Sequence, residues 1–261
     1  MKSSDQSVQS IERALTVLET LALYPHGVGV TELGQNTGLH KSTVHRLLST
    51  LLALGYVEQD KETEHYRIGV KVVGLGLQVL HNLDFRTEAL PYMRELVALS
   101  RETVQLAVLD FGQVVIVERD HSPETITVNL GLRADAHCTA DGIVLLAYLP
   151  SEKVMRILGK RELRQYTVNT IADLNTIMAH LEKVRNQGYA INAEELAEGL
   201  RAVAAPVFNH TGAVVAALSI CGPTSRLTLE RIARLVTVLK EASNSLSSRL
   251  GWTPACSGLK S

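Results

Sequence analysis

Apolar residues near the start of the chain recur with the spacing of α-helices. A first helix is predicted over residues 10–23, with an apolar face formed by Ile11, Leu15, Leu18, Leu21 and Ala22. A short helix that starts at Thr31, a turn at Gly38 and a second helix follow it. The apolar stripe of that second helix comprises Val44, Leu47, Leu48, Leu51 and Leu54. The pattern predicts two helices joined by a tight turn, each with one face buried.

The period of the pattern changes after Gly55. Residues 56–68 predict two short strands around a polar, charged loop. A hairpin directly behind two helices joined by a tight turn is typical of a winged helix-turn-helix. We therefore assign residues 1–69 to a domain of this kind.

The polar side of the second helix has the chemistry that DNA requires. Its candidate DNA-contacting residues are Lys41, Ser42, Thr43, His45, Arg46 and Ser49. Arg46 can form a bidentate pair with guanine, and Lys41 is placed for a phosphate. No carboxylate interrupts residues 33–57, so nothing there repels a polyanion.

The net charge of residues 1–70 does not distinguish a DNA-binding domain from a domain that does not bind DNA. Residues 1–70 carry six Lys and Arg against eight Asp and Glu, a net charge of −2, without the basic excess of many DNA-binding domains. Small amphipathic helix pairs joined through glycine also occur in proteins that do not bind DNA. Only the local distribution of charge, with the acids on the first helix and in the wing, favours DNA.

The rest of the chain predicts a connecting helix and a mixed second domain. Residues 70–84 are apolar enough for a buried helix despite Gly74 and Gly76. Residues 85–252 predict an α+β fold, an antiparallel sheet flanked by helices, and residues 253–261 form a tail. The predicted helices are 90–102, 139–149, 151–158, 172–187 and 228–250, and the predicted strands 104–110, 114–119, 125–130, 188–192, 203–209 and 213–222.

Composition narrows the class of protein. The chain has 261 residues, 46% of them hydrophobic, and a net charge of −1, enough for two ordinary cores. Its three cysteines are widely spaced and odd in number, which favours reduced thiols, and His137 beside Cys138 lacks the spaced partners of a metal site. We expect no metal, no cofactor, no membrane partner and a cytoplasmic location.

Several ordered motifs carry a family resemblance. Residues 8–19, 31–33, 38–48 and 66–69, and then 102–110, 188–195, 198–199, 203–208 and 217–228, resemble IclR-type bacterial transcriptional regulators. The resemblance implies an effector-sensing second domain of the GAF-like kind and a homodimer on operator DNA, with a tetramer on DNA as an alternative. It also implies that the connecting helix pairs subunits, and we expect the first helix to contribute. A repressor is expected, with an activator of the same architecture as the alternative.

The resemblance also implies an effector site. Its residues here are His137, Cys138, Thr139, Ala140, Asp141, Gly142, Asn192, Glu194, Ala202, Ser219 and Cys221. Thr139 is also a predicted helix N-cap. The chain departs from the family pattern at Asp141, Ile143, Asn192 and Ala202: Asp141 weakens attraction for an anion and Asn192 strengthens it, which leaves the ligand's charge open. The resemblance favours a small organic acid.

An enzyme is the alternative class of protein to a regulator. Cys138 beside His137, or Cys221 with His210, would have to supply a nucleophile and a base. No Gly-x-Ser-x-Gly elbow, phosphate-binding loop or metal spacing accompanies them. The sequence therefore predicts a regulator, with an enzyme of GAF-like fold as the less favoured alternative.

Overall fold

The computed structural model describes residues 8–81, 84–125 and 131–253. They divide into two compact units, which we call the N-terminal unit, up to residue 81, and the C-terminal unit, from residue 84. In the described residues, no helix is long and apolar enough to cross a membrane.

The N-terminal unit is a winged helix-turn-helix, as predicted. Its elements are α1 (Gln9–Leu21), α2 (Val30–Thr37), α3 (Lys41–Ala53), β1 (Val57–Gln59), β2 (Tyr66–Ile68) and α4 (Val70–His81). Strands β1 and β2 pair antiparallel, with Val57 opposite Ile68. One apolar cluster holds the unit together, and its buried members are Val17, Leu21, Val28, Leu33, Val44, Leu48, Val57 and Tyr66.

The predicted apolar face of α1 is partly wrong. Val17 and Leu21 are buried, but Ile11 and Leu15 are 57% and 52% exposed, and Ala22 lies exposed beyond the helix end. Helix α1 packs on α2 and α3. That packing selects the side of the helix centred on Val17 for the core and leaves the other apolar side uncovered.

The turn between α2 and α3 needs two glycines. Gly38 has φ +67°, a left-handed conformation that ends α2. A Cβ on Gly34 would lie 3.0 Å from the carbonyl oxygen of Leu39, so the chain passes too close for a side chain. Helix α2 begins at Val30, one residue before the predicted Thr31. Leu54, predicted in the buried stripe, follows α3 and is 53% exposed.

The C-terminal unit has an antiparallel sheet with helices on both faces, which confirms the predicted α+β class. Its helices are α5 (Asp84–Ser100), α6 (Ala140–Ala147), α7 (Ser151–Leu158), α8 (Leu174–Gln187) and α9 (Leu229–Arg249). Its strands are β3 (Thr103–Asp110), β4 (Gln113–Asp120), β5 (Arg133–Asp135), β6 (Ala190–Ala193), β7 (Leu200–Phe208) and β8 (Val214–Pro223). The strand order is β5-β4-β3-β8-β7-β6.

The two faces of this sheet differ in side-chain size. One face packs its valines, leucines and isoleucines, among them Leu106, Val203 and Ile220, against α5 and α9. The other face presents mainly small residues, among them Ala204 and Cys221, to α6 and α8. Small side chains on the second face leave room beneath α6.

One predicted boundary needs correction, one strand was missed, and one predicted strand lies almost wholly outside the described residues. The helix predicted from residue 90 begins at Asp84 and ends at Ser100, because Pro91 lies inside it without ending it. Strand β5 was not predicted, since Arg133–Asp135 is polar and only three residues long. In the strand predicted at 125–130, residues 126–130 lie outside the described residues.

A buried carboxylate joins the ends of three elements. Glu102, which precedes β3, is 1% exposed at its side chain and accepts from Arg226 Nε at 2.8 Å and Nη2 at 2.7 Å. Arg231 of α9 donates to the same carboxylate at 3.3 Å. Bidentate arginine pairs are among the stronger charged hydrogen bonds. Glu102 thus fixes the start of α9 against the sheet.

We expect Glu102→Gln to lower the free energy of unfolding by about 2 kcal/mol, because two guanidinium groups lose their shared carboxylate in a buried setting. Urea denaturation followed by circular dichroism measures this. The matched control is Glu124→Gln, which removes the exposed pair with Arg101 and should change stability little. Equal effects of the two substitutions would show that Glu102 does not have this role.

Candidate DNA interface and effector cavity

The outward face of α3 is open to solvent. Of the six predicted DNA-contacting residues, Thr43 is half-buried and the others are exposed: Lys41, Ser42, His45, Arg46 and Ser49. Val44 and Leu48 on the opposite side are fully buried. Helix α3 therefore packs against the core with one side, and its other side remains accessible to a partner.

Hydrogen bonds at the start of α3 fix its first turn. The N-cap is His40, whose Nδ1 accepts from Ser42 N at 3.4 Å and lies 2.8 Å from Ser42 Oγ. Further along, the Ser49 hydroxyl donates to the His45 carbonyl at 2.9 Å. None of the described residues pairs with Lys41 or Arg46. Both cations are thus free to meet phosphates and bases.

The wing carries acids that are already engaged. Asp60 Oδ1 accepts from Glu62 N at 2.9 Å and Thr63 N at 2.8 Å, and these backbone bonds hold the pKa of Asp60 below its usual value. Glu58 pairs with Arg67 at 3.1 Å. This hairpin offers little attraction to a polyanion, so α3 is the surface best suited to DNA.

A cavity of about 270 Å³ lies in the C-terminal unit. It is lined by Gln105, Val114, Ile116, Gly131, Arg133, Ala134, Thr139, Ala140, Asp141, Tyr166, Asn192, Leu196, Leu200, Ala202 and Cys221. Six of these belong to the predicted effector site, from two regions distant in sequence: the start of α6 and the strands β6, β7 and β8.

Strand register brings three of the six together. Asn192 on β6 pairs with Ala202 on β7, and Ala202 pairs with Cys221 on β8. The three form a row across the sheet. The other three, Thr139, Ala140 and Asp141, come from the start of α6. There Thr139 is the N-cap, as predicted, and accepts from Gly142 N at 3.1 Å.

Two predicted site residues lie beside the cavity, in a short 3₁₀ turn (Ala136–Cys138) that directs them elsewhere. His137 is buried, with Nε2 3.0 Å from the Arg164 carbonyl oxygen. The Cys138 thiol donates to the Asp135 carbonyl at 3.3 Å. Both side chains support the wall and do not line the cavity.

The remaining three predicted residues also lie outside the lining. A Cβ on Gly142 would lie 2.2 Å from the Ala136 carbonyl oxygen, so this position only admits glycine. Glu194 pairs with Arg201 at 3.3 Å. Ser219 is fully buried on β8, where its hydroxyl lowers the pKa of Asp141.

Several lining residues were missed by sequence reasoning. Tyr166 lies between α7 and α8, and its hydroxyl donates to Asp135 Oδ2 at 2.7 Å, which raises the pKa of the phenol to about 12. Gln105 is on β3 and Arg133 on β5. Gln105 lies in the 102–110 motif, which does not by itself mark it as a site residue, and Tyr166 and Arg133 lie in no motif. The proximity of the three is a product of the folded chain.

Burial controls the ionisation of the cavity wall. Asp141 is 6% exposed, and burial raises its pKa to about 6, with Ser219, the backbone and Arg119 acting in the opposite direction. Burial raises the pKa of nearby Glu195 to about 7. Asn192 donates through Nδ2 to the Cys138 carbonyl at 2.6 Å and to Glu195 Oε2 at 3.1 Å.

The two described thiols are poor nucleophiles. Burial, assisted by nearby carboxylates, raises the pKa of Cys138 and of Cys221 to about 12. Both are therefore neutral thiols near pH 7, whereas catalytic cysteines react as thiolates. The described residues also contain no group of His, Cys, Asp and Glu that could hold a metal ion.

Comparisons with known proteins cover nearly the whole chain. The IclR helix-turn-helix domain matches residues 10–61, and the bacterial transcriptional regulator IclR C-terminal domain matches residues 77–248. The HTH-type transcriptional regulator KdgR of Escherichia coli (strain K12) is 37% identical over 248 residues, which are 94% of each chain. The HTH-type transcriptional repressor AllR of the same strain is 32% identical over 250 residues, 95% of this chain and 92% of AllR.

Solved structures give the same picture. An IclR homolog from Microbacterium hydrocarbonoxydans, complexed with 4-hydroxybenzoate, matches with a TM-score of 0.78 at 26% identity, over 92% of this chain and 98% of that one. A putative regulator of this type from Silicibacter sp. TM1040 matches with a TM-score of 0.79 at 28% identity, over 94% and 97%.

Asp141 makes the stability of the C-terminal unit pH-dependent in an unusual direction. Because folding raises its pKa from 3.8 to about 6, the carboxyl group favours the folded state at low pH, and this contribution is lost as the pH rises through 6. We expect Asp141→Asn to gain about 2 kcal/mol of stability relative to the parent protein between pH 4 and pH 7. Urea titrations at several pH values measure the difference.

The matched control for this experiment is Asp173→Asn. Asp173 caps α8 through Thr176 N at 2.8 Å, and this hydrogen bonding lowers its pKa. The parent protein should therefore gain stability relative to this variant as the pH rises through the acid range, the opposite sign to Asp141→Asn. A stability difference between Asp141→Asn and the parent protein that does not change with pH would contradict the raised pKa of Asp141.

Proposed function

The chain belongs to the IclR family of bacterial transcriptional regulators, and we propose that it is a repressor that leaves its operator when a small molecule occupies the cavity of the C-terminal unit. It is a ligand-responsive DNA-binding regulator. The observation that carries the proposal is the open, unpaired cationic face of α3 on a winged helix-turn-helix. The sign of regulation is supported by the repressor AllR among its relatives.

DNA recognition is assigned to α3 by its geometry and charge. Arg46 is exposed in the first half of the helix, where recognition helices contact base edges, and its guanidinium matches the acceptors of guanine. Lys41 stands at the helix start and suits a phosphate. Ser42, Thr43, His45 and Ser49 complete the contact surface. A regulator of this kind acts in the cytoplasm, where the DNA is.

We assign the effector to the cavity because predicted residues meet there and some of their polar atoms have no hydrogen-bond partner. Thr139, Ala140, Asp141, Asn192, Ala202 and Cys221 line it. His137, Cys138, Gly142, Glu194 and Ser219 hold that wall in place. An IclR homolog that binds 4-hydroxybenzoate supports a small molecule as the effector.

Dimer formation is assigned to α1 and α4. On α4, Val70 and Val73 are 72% and 55% exposed, and Gly74 and Gly76 have no atom within 4 Å of an added Cβ, so another helix can approach closely. On α1, Ile11 and Leu15 are also exposed apolar residues. A two-fold dimer presents two copies of α3 to two half-sites, and two dimers can share one operator.

Operator binding is tested by fluorescence anisotropy with DNA from upstream of the gene, at two salt concentrations and with excess nonspecific competitor. Arg46→Ala should weaken operator binding by about 1–3 kcal/mol and relax specificity at one base pair. Lys41→Ala should weaken binding on all sequences alike and reduce the salt slope by about one.

The matched control is Arg156→Ala, an exposed arginine on α7 that should leave DNA binding unchanged. If Arg46→Ala and Lys41→Ala behave like this control, α3 is not the DNA-reading helix. If the parent protein binds no genomic fragment in the presence of competitor, the proposed function itself is wrong.

The dimer assignment predicts that Val73→Glu raises the dimer dissociation constant about tenfold or more, because a carboxylate is buried against an apolar partner surface. Sedimentation velocity over a concentration series measures this, and operator affinity should fall in parallel. Val168→Glu is the matched control, since Val168 is 86% exposed in the C-terminal unit. Identical sedimentation of both variants and the parent protein would place the interface elsewhere.

A further inference from the structure

Two acceptor oxygens on the cavity wall lack hydrogen-bond donors. Asp141 Oδ1 and Asn192 Oδ1 have no partner among the described residues, although the two residues are only 6% and 2% exposed. Buried acceptors are normally satisfied, because leaving one unpaired costs its lost hydration. Both residues line the same cavity, so a ligand there can supply donors to them. Ser219, whose hydroxyl lowers the pKa of Asp141 from outside the lining, also has an unpaired Oγ.

Three of the side-chain donors that line the cavity are already in use. Thr139 Oγ1 lies 3.4 Å from the Asp135 carbonyl oxygen to which it donates, and the Tyr166 hydroxyl donates to the side chain of Asp135. Asn192 spends Nδ2 on the Cys138 carbonyl and on Glu195. A ligand that brings its own donors can therefore satisfy Asp141 and Asn192.

Charge at the site opposes an anionic ligand. The buried carboxyl of Asp141 is ionised above pH 6, and the nearby Arg119 guanidinium lowers the pKa of this carboxyl. Arg119 Nε also donates to the Gln105 amide oxygen at 3.0 Å when the amide is oriented with its oxygen toward Arg119. Arg133, the cation in the described cavity lining, pairs with Asp110. A carboxylate in the cavity would meet the like charge of Asp141 and a cation would meet the like charge of Arg119, so neither sign of ligand charge is favoured.

We propose that the effector is a neutral, polyhydroxylated molecule of about monosaccharide size, whose hydroxyl groups donate to Asp141 and Asn192. The cavity of about 270 Å³ is just below the usual range of about 300–1,000 Å³ for small-ligand sites, which fits a compact ligand. This inference rests on the proposed effector role of the cavity. Asp141 of this chain favours such a neutral ligand over the small organic acid that the family resemblance favours.

The test compares neutral polyols with the sugar acids that differ from them by one carboxylate. Erythritol and erythronate, ribitol and ribonate, and galactitol and galactonate are added in turn to the full-length protein at about pH 7.5. Thermal unfolding and calorimetry measure binding. We expect the neutral member of at least one pair to raise Tm and to bind about tenfold or more tightly than its acid.

Variants connect that binding to the two oxygens. Asp141→Asn keeps the size of the side chain but removes its charge, so it should weaken binding of the neutral ligand by about 10–100-fold and abolish the discrimination against the acid. Asn192→Ala should also weaken binding of the neutral ligand, because the second unpaired acceptor is removed. Asp173→Asn, the same chemical change on the exposed cap of α8, should alter neither affinity.

Tighter binding of the acids, or no binding of any neutral member at about 10 mM, overturns the proposal. So does a neutral ligand whose affinity is the same in Asp141→Asn and the parent protein. The operator titration separates this failure from failure of the proposed function: a protein that binds its operator but ignores the polyols refutes only the ligand class. Polyol binding without operator binding refutes only the regulator.

Discussion

The register of β8 between β3 and β7 is the constraint on which the C-terminal unit depends. Residues 216–222 of β8 are all buried, and successive side chains face opposite sides of the sheet. Leu218 and Ile220 fill the apolar cluster under α5 and α9, whereas Ser219 and Cys221 face α6. A shift of one residue would place leucine in the cavity and serine in the apolar cluster. The room for a ligand therefore follows from the pairing that stabilises the sheet.

Strong periodicity is what made the fold predictable. The helices α3, α8 and α9 have helical patterns and the strands β3, β7 and β8 are long apolar runs, so a local pattern suffices to place them. The predictions failed at elements with weaker sequence patterns, for identifiable reasons. Helix α1 offers two apolar sides, and only its packing on α2 and α3 selects Val17 over Ile11. Strand β5 has no apolar pattern, since it is held by pairing with β4.

The lining of the candidate site was predictable where a motif and a strand register coincide. Asn192, Ala202 and Cys221 were identified by resemblance, and their alignment across β6, β7 and β8 needs only ladder geometry. Tyr166 was not predictable, because a loop of no regular period carries it to Asp135. The direction of His137 was equally hidden, since it depends on a 3₁₀ turn of three residues. Which polar atoms remain unpaired is a property of the folded chain alone.

Those unpaired atoms bear on regulation. A ligand shifts a conformational equilibrium only by its difference in affinity for the two states, so some part of the cavity wall must differ between them. The sheet row is fixed by its ladders. The loop that carries Tyr166 is instead attached to the segment after β6 by side-chain bonds, Thr167 Oγ1 to the Glu194 carbonyl at 2.7 Å and Thr170 Oγ1 to the Glu195 carbonyl at 2.6 Å. These bonds join two wall segments beside Asn192. If a donor satisfies Asn192 only in the arrangement held by these two bonds, the ligand stabilises that arrangement, and by linkage that arrangement binds the ligand more tightly.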